Sequence, residues 1–277
     1  MGKTVAVEFN GGCGNQLFQL AMGYAFSKKF SLRLIADIKG CDSSKSLHGA
    51  FHLSSIMKYF DLEEVSRFRT KHERVFSKTS AWLRNPIRVQ RSDAISLYRS
   101  ASLPNRNLAI SGYEDRFFAR EAEKYGFKEV LAKFKEDELM DKRFETYNGK
   151  QITVEKCREF VAVHLRGTDM KVEKRFIPVS KVISLVMKEF SNEQFLVFSD
   201  DKELAMNFVK EIPNSCAILP QTNPLLELLL ASECRSLVLS NSTFSFWIST
   251  LSDEKVIFSP VPKESVFAPI RPYLGFE

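Results

Sequence analysis

VAVHLRGTDM, Val161 to Met170, is the stretch on which the fold turns. An uncharged run with two valines passes directly into His164, Arg166 and Asp169. A run without polar alternation suits a strand buried on both faces, as in a parallel sheet covered by helices. Ionisable side chains at and beyond the end of such a strand fall on the edge where open α/β sheets bind ligands.

The arrangement recurs twice downstream. Asp200 and Asp201 follow the apolar run QFLVF, and Asn241, Ser242, Thr243 and Phe244 follow SLVLS. Helical patterns alternate with these strands: SKVISLVMKEF, KELAMNFVKEI, PLLELLLASE and TFSFWISTL, with CAIL as a short strand and KVIF as a last one. This alternation predicts a doubly wound α/β domain over residues 151–277. Each polar residue taken alone could simply cap a helix or a turn. Three clusters on one edge favour a site.

That site has the chemistry of a nucleoside diphosphate pocket. SNSTFSFW puts small hydroxyl residues at a helix start, where unpaired backbone N–H groups and the helix dipole favour phosphate. Arg166 adds a planar guanidinium that can grip phosphate oxygens through two parallel hydrogen bonds. Asp200 or Asp201 could accept hydrogen bonds from a nucleobase or a ribose. His164 joins them from the strand end.

The N-terminal half opens as a second βαβ unit. TVAVEF reads as a strand, NGGCG as a tight loop, NQLFQLAMGYAFSKKF as a helix and LRLIAD as the next strand. Gly12 and Gly14 lie in the loop. It is not GxGxxG, because Leu17 occupies the third glycine position, and no GK[ST] follows to make a P-loop. The turn is either a plain βα connection or one whose amides, Asn15 and Gln16, hydrogen-bond a sugar. EDELMDKRFETYNGK reads as a charged helix followed by an Asn-Gly turn, which sets a boundary at residue 150. Residues 1–150 and 151–277 are thus expected as two Rossmann-like α/β domains facing a cleft.

Composition narrows the class. The formal net charge of +6 suits anionic partners, whether a nucleotide or an anionic membrane surface that the protein meets peripherally. No nucleic-acid-binding signature accompanies it. The start, MGKTVAVEFN, enters a strand directly and lacks the apolar core of a secretory leader, and the 5 cysteines show no CxxC spacing. A cytoplasmic protein with reduced thiols is expected. The 4 histidines have no HxH or HExxH spacing, and there is no DxD, so no metal ligands are expected.

Taken together, GGCGNQLFQ, HLRGTD and SNSTFSFW resemble family 11 glycosyltransferases, the α-1,2-fucosyltransferases. Members read GGLGNQLFQ near the start, HxRRxDY in mid-chain and NSTFSWW near the end, and order and spacing match over nearly the whole chain. SGYEDRFF, Ser111 to Phe118, is similar to a further family segment. The resemblance implies a GT-B fold, with an acceptor-side N-terminal domain and a donor domain after it. It implies inverting, metal-independent transfer of L-fucose from GDP-fucose to the 2-OH of a terminal galactose, with no cofactor. Arg166 carries over as the diphosphate contact, and Asn15 is placed near the reacting sugar. Gly167 and Met170 depart from the family's second Arg and its Tyr; Lys171 or Arg175 would have to supply the missing cation. Phe246–Trp247 keeps the bulk of the family's Trp pair. For the general base the carboxylates Asp169, Asp115 and Glu8 stand open. The lost arginine also leaves open a different nucleotide-sugar donor, or a non-catalytic relative that binds GDP or a glycan.

Overall fold

The computed structural model describes residues 3–38, 41, 50–65, 86–103, 106–112, 116–167, 177–221, 223–253, 256–261, 263, 268–269 and 272–275. The chain divides into two compact units, Met1–Val130 and Leu131–Glu277.

The first unit holds β1 (Thr4–Glu8), α1 (Cys13–Phe30), β2 (Arg33–Asp37), β3 (Glu63–Val65), β4 (Ile87–Val89), α2 (Arg91–Arg99), β5 (Leu108–Ile110) and α3 (Arg116–Glu123). Its strands form a 5-stranded parallel sheet in the order β3-β2-β1-β5-β4. Val5, Ala6 and Val7 of β1 are fully buried, as a central parallel strand requires. Helix α1 packs on this sheet along Gly23, where a Cβ would fall 2.2 Å from Val7 Cγ2. Phe26, Tyr98 and Phe118 join α1, α2 and α3 through ring contacts of 5.2 to 5.6 Å.

Helix α4 (Phe127–Leu139) carries the chain across the division, and β6 (Arg143–Glu145) and β7 (Gln151–Thr153) then form an antiparallel hairpin. The boundary therefore falls twenty residues before the position read from the sequence. The reason is hydrogen bonding. Tyr147 N–H donates to Ala217 O and Leu219 N–H to Glu145 O, so the hairpin belongs to the second unit. The charged stretch taken as one helix stops at Leu139, and Asp141 turns the chain with φ of 59°.

The second unit continues with α5 (Val154–Cys157), β8 (Phe160–Leu165), α6 (Val179–Glu189), β9 (Gln194–Ser199), α7 (Lys202–Glu211), β10 (Ser215–Ala217), α8 (Pro224–Glu233), β11 (Ser236–Val238), α9 (Thr243–Leu251), β12 (Val256–Ser259) and β13 (Leu274–Gly275). The 6 strands pair in parallel in the order β10-β9-β8-β11-β12-β13. Numbered from β8, this is the 3-2-1-4-5-6 order of a doubly wound dinucleotide-binding sheet. Every residue of β8 is buried. Helices α8 and α9 pack against each other, and α9 is buried from Ser245 to Leu251. Its sequence accordingly carries no charged residue, and the buried hydroxyls of Ser249 and Thr250 donate back to Phe246 O.

Candidate active site

In the 3-2-1-4-5-6 order the strand direction of travel reverses between β8 and β11, and ligands bind beyond the C-terminal ends of those strands. The polar clusters that follow β8 and β11 meet there. A cavity at this point is lined by His164, Leu165 and Arg166 from the end of β8 and by Leu239, Ser240 and Asn241 from the end of β11. Ile177, Val182 and Leu204 close its apolar side.

His164 is the floor. Its ring is buried, and burial first and the Arg166 cation second hold its pKa down at about 3, against the opposing pull of Asp200. The imidazole is therefore neutral. Its Nδ1 lies 2.7 Å from Ser245 Oγ and 3.1 Å from Ser240 Oγ. Ser245 Oγ already accepts from Ser240 N–H at 3.2 Å and from the Ser242 hydroxyl at 3.2 Å. Both its lone pairs are taken, so its own proton is left for His164 Nδ1 or for Ser240 Oγ, which lies 3.1 Å away. Three serines from the β11–α9 segment thus form one hydrogen-bonded cluster with a residue on β8.

Ser242 is also the N-cap of α9, accepting from Ser245 N–H at 3.1 Å. This is a structural use of a residue read as a phosphate contact. Thr243 and Phe244 begin the helix behind it, and Phe244 packs on His164 at 5.1 Å between ring centres. Asn241 Oδ1 is buried without a hydrogen-bond partner among the described residues. On the wall of a cavity, such an oxygen fits a ligand that brings a donor.

Arg166 pairs with Asp200, Nη1 to Oδ2 at 3.1 Å, and both side chains are 16% exposed. The other oxygen of Asp200 accepts from Gly167 N–H at 2.9 Å. Asp201 caps α7, its Oδ1 accepting from Leu204 N–H at 3.1 Å. The carboxylates read as nucleoside acceptors thus both have internal work, one holding the turn after β8 and one starting a helix. Gly167 is required by space, since a Cβ there would lie 2.6 Å from Asp201 Cβ. Asp169, Met170, Lys171 and Arg175 lie outside the described residues, as does Asp115.

One buried carboxyl escapes the sequence reading. Glu227, in the first turn of α8, accepts from Gln221 N–H at 2.6 Å. Burial, reinforced by the Asp200 charge and opposed by that N–H, raises its pKa to about 7. The signal was available: a lone acid inside the leucine run PLLELLL.

In the first unit the glycine turn follows β1, beside the β1–β5 junction. Gly11 has φ of 71°, and the Asn15 amide folds over it so closely that a Cβ would meet Asn15 Nδ2 at 2.7 Å. Gly12 is the N-cap of α1 and makes no side-chain capping bond. Gly14 is buried in the first turn, whereas Asn15 is half-buried. Gln16 has no exposure and is committed elsewhere: Nε2 donates to Gly11 O at 2.8 Å and to Ala50 O at 2.7 Å, and Oε1 accepts from His52 N–H at 2.9 Å. Gln19 bonds Asn10 in the same manner. Of the two adjacent amides, Gln16 is a cross-link of the fold rather than a sugar contact. Glu8, at the end of β1, is paired with Arg88 at 3.1 Å. Phe246 and Trp247 meet edge to face at 5.3 Å and are core residues.

No group of three or more His, Cys, Asp or Glu among the described residues is placed to hold a metal ion. No helix among them is long and apolar enough to cross a membrane.

Comparison with known proteins agrees with this geometry. Solved structures with the same fold include NodZ α-1,6-fucosyltransferase co-crystallised with GDP, at a TM-score of 0.56 and 11% identity over 93% of this chain and 95% of that one. They also include the Escherichia coli heptosyltransferase WaaC with ADP, at 0.50 and 10% over 98% and 92%. The two Rossmann-like units are thus of the GT-B type. An alpha-1,2-colitosyltransferase of Escherichia coli is 24% identical over 285 residues, covering 94% of this chain and 92% of the relative. The family model described as glycosyl transferase family 11 matches residues 4–263, and the chain belongs to that family of glycosyltransferases.

Proposed function

We propose that this glycosyltransferase moves L-fucose from GDP-fucose to the 2-OH of a terminal galactose on a glycan, in α-1,2 linkage and with inversion. The observation that carries the reading is the cluster at the β8–β11 junction. It combines a guanidinium on Arg166, an unpartnered acceptor on Asn241 and a helix start at Thr243. A cation and helix N–H groups match a diphosphate, and an amide oxygen matches a nucleoside or sugar donor group. The NodZ structures, which hold GDP or were soaked with GDP-fucose, support a GDP-linked donor. The α-1,2 linkage named for the colitosyltransferase supports the linkage.

In this reading the galactose hydroxyl attacks the anomeric carbon opposite the phosphate. The carbon–oxygen bond to GDP breaks, and the bond to galactose forms with inversion. Negative charge grows on the leaving diphosphate, where Arg166 and the first N–H groups of α9 stabilise it without a metal or other cofactor. The hydroxyl proton passes to a carboxylate, Asp169, Asp115 or Glu8. Of these, Glu8 already serves Arg88 and is the weakest choice. Asn15 orients the reacting sugar. The net positive charge suits work at an anionic membrane surface, on a cytoplasmic lipid-linked glycan.

A second reading has its own support. The colitosyltransferase relative points to a donor carrying colitose, the 3-deoxy counterpart of L-fucose. Calorimetric titration with GDP, UDP and ADP tests what both readings share. GDP binding at least tenfold tighter than the others is expected, and equal or reversed preference refutes them. Turnover of GDP-fucose against GDP-colitose then separates the two.

A further inference from the structure

The turn after β8 presents its cation already neutralised. Asp200 bonds Arg166 with one carboxylate oxygen at 3.1 Å and the backbone N–H of Gly167 with the other at 2.9 Å. The pair is mostly buried, each side chain 16% exposed, so water screens it little. No side chain at position 167 can relieve this balance, because a Cβ there would lie 2.6 Å from Asp201 Cβ. His164 beneath is neutral and adds no charge. A diphosphate arriving here meets a guanidinium that another anion holds.

We propose that Asp200 is a positioning residue that competes with the donor's diphosphate for Arg166. It fixes the guanidinium and the β8 turn while the site is empty, and it weakens the hold on diphosphate once the site is filled. This rests on the reading of Arg166 as the diphosphate contact. The functional consequence is product release. A GDP product gripped by an uncompensated arginine in this cavity leaves slowly, whereas an arginine with a resident carboxylate returns to its internal partner as GDP departs. Attraction and anchoring are separable here. The charge of Asp200 opposes diphosphate, while its oxygen on Gly167 N–H keeps the turn in place.

The Asp200→Asn variant separates them, because the amide keeps an oxygen for Gly167 N–H and loses the charge. Asp200→Ser is the second variant, with a small hydroxyl acceptor in place of the carboxylate. Calorimetry on the full chain, with GDP and with guanosine, reads the effect. The expected result is GDP affinity raised about tenfold in Asp200→Asn and raised in Asp200→Ser, with guanosine affinity unchanged in both. The donor KM should fall with kcat limited by slower GDP release. A residue that only supported the fold would weaken both ligands together. Unchanged or weaker GDP binding in the variants, or a parallel shift for guanosine, overturns the proposal. Wild-type protein that binds no GDP overturns the function proposed above along with this inference. Wild-type binding without tightening in the variants overturns this inference alone.

Discussion

Nδ1 of His164, at the end of β8, lies 2.7 Å from the hydroxyl of Ser245 in the first turn of α9. The bond joins the central strand of the second unit to the helix that follows Ser240 and Asn241 of the cavity wall. Ser245 Oγ also accepts from Ser240 N–H, so one hydroxyl holds both sides of the β8–β11 junction. Ser245→Ala removes these contacts and strands a buried backbone N–H. It should cost about 1–3 kcal/mol of stability, read from the urea midpoint, and shift the His164 ring nitrogen resonances.

Arg166→Ala should weaken GDP binding about 10–100-fold, the span for a lost charge-assisted contact. Guanosine binding, which lacks the phosphates, should change much less. Titration calorimetry with both ligands checks the difference.

Glu227 makes stability depend on pH in a definite direction. Its folded pKa is raised to about 7 from an ordinary 4.5, so the folded state holds a proton that the unfolded chain has released. Its contribution is complete below the unfolded value and is lost as pH rises through about 7. The loss across that window is on the order of 3 kcal/mol. Glu227→Gln keeps an oxygen for Gln221 N–H and removes the titration. The variant should therefore exceed wild type in melting temperature at pH 8 and match it near pH 4.5.

Gly167→Ala should push the turn after β8 away from Asp201, the cap of α7. A forced methylene in a packed site costs about 1–3 kcal/mol. Loss of GDP affinity, read by calorimetry, should accompany a lower melting temperature.

Gln16→Ala should destabilise the first unit by about 2–4 kcal/mol, because it leaves the His52 N–H and the carbonyls of Gly11 and Ala50 without their partner. Hydrogen exchange should localise the loss to amides near His52.

The second unit was legible because its signals are local. Buried strands such as FVAVHL and QFLVF read as unbroken apolar runs, and the polar clusters sit next to them in the chain. The turn GGCGNQ was legible as a turn for the same reason. What each polar residue bonds was not, since the partners are distant in sequence. Gln16 reaches residues 50 and 52, and Asp200 reaches back to Arg166 and Gly167. Ser240 and Ser245 looked like any helix-start hydroxyls, and their link to His164 exists only once β8 and β11 pair. The β6–β7 hairpin escaped notice because each strand has 3 residues, too few for alternation to register, although its Asn-Gly turn stood out.

The most direct test of the proposed activity is product formation from GDP-fucose and lactose in EDTA, followed by mass and linkage determination. GDP release that depends on lactose is expected, with a product heavier by one deoxyhexose and substituted at the 2-OH of galactose. GDP bound tightly but never released in exchange for a fucosylated galactoside, with GDP-colitose equally inert, would contradict it.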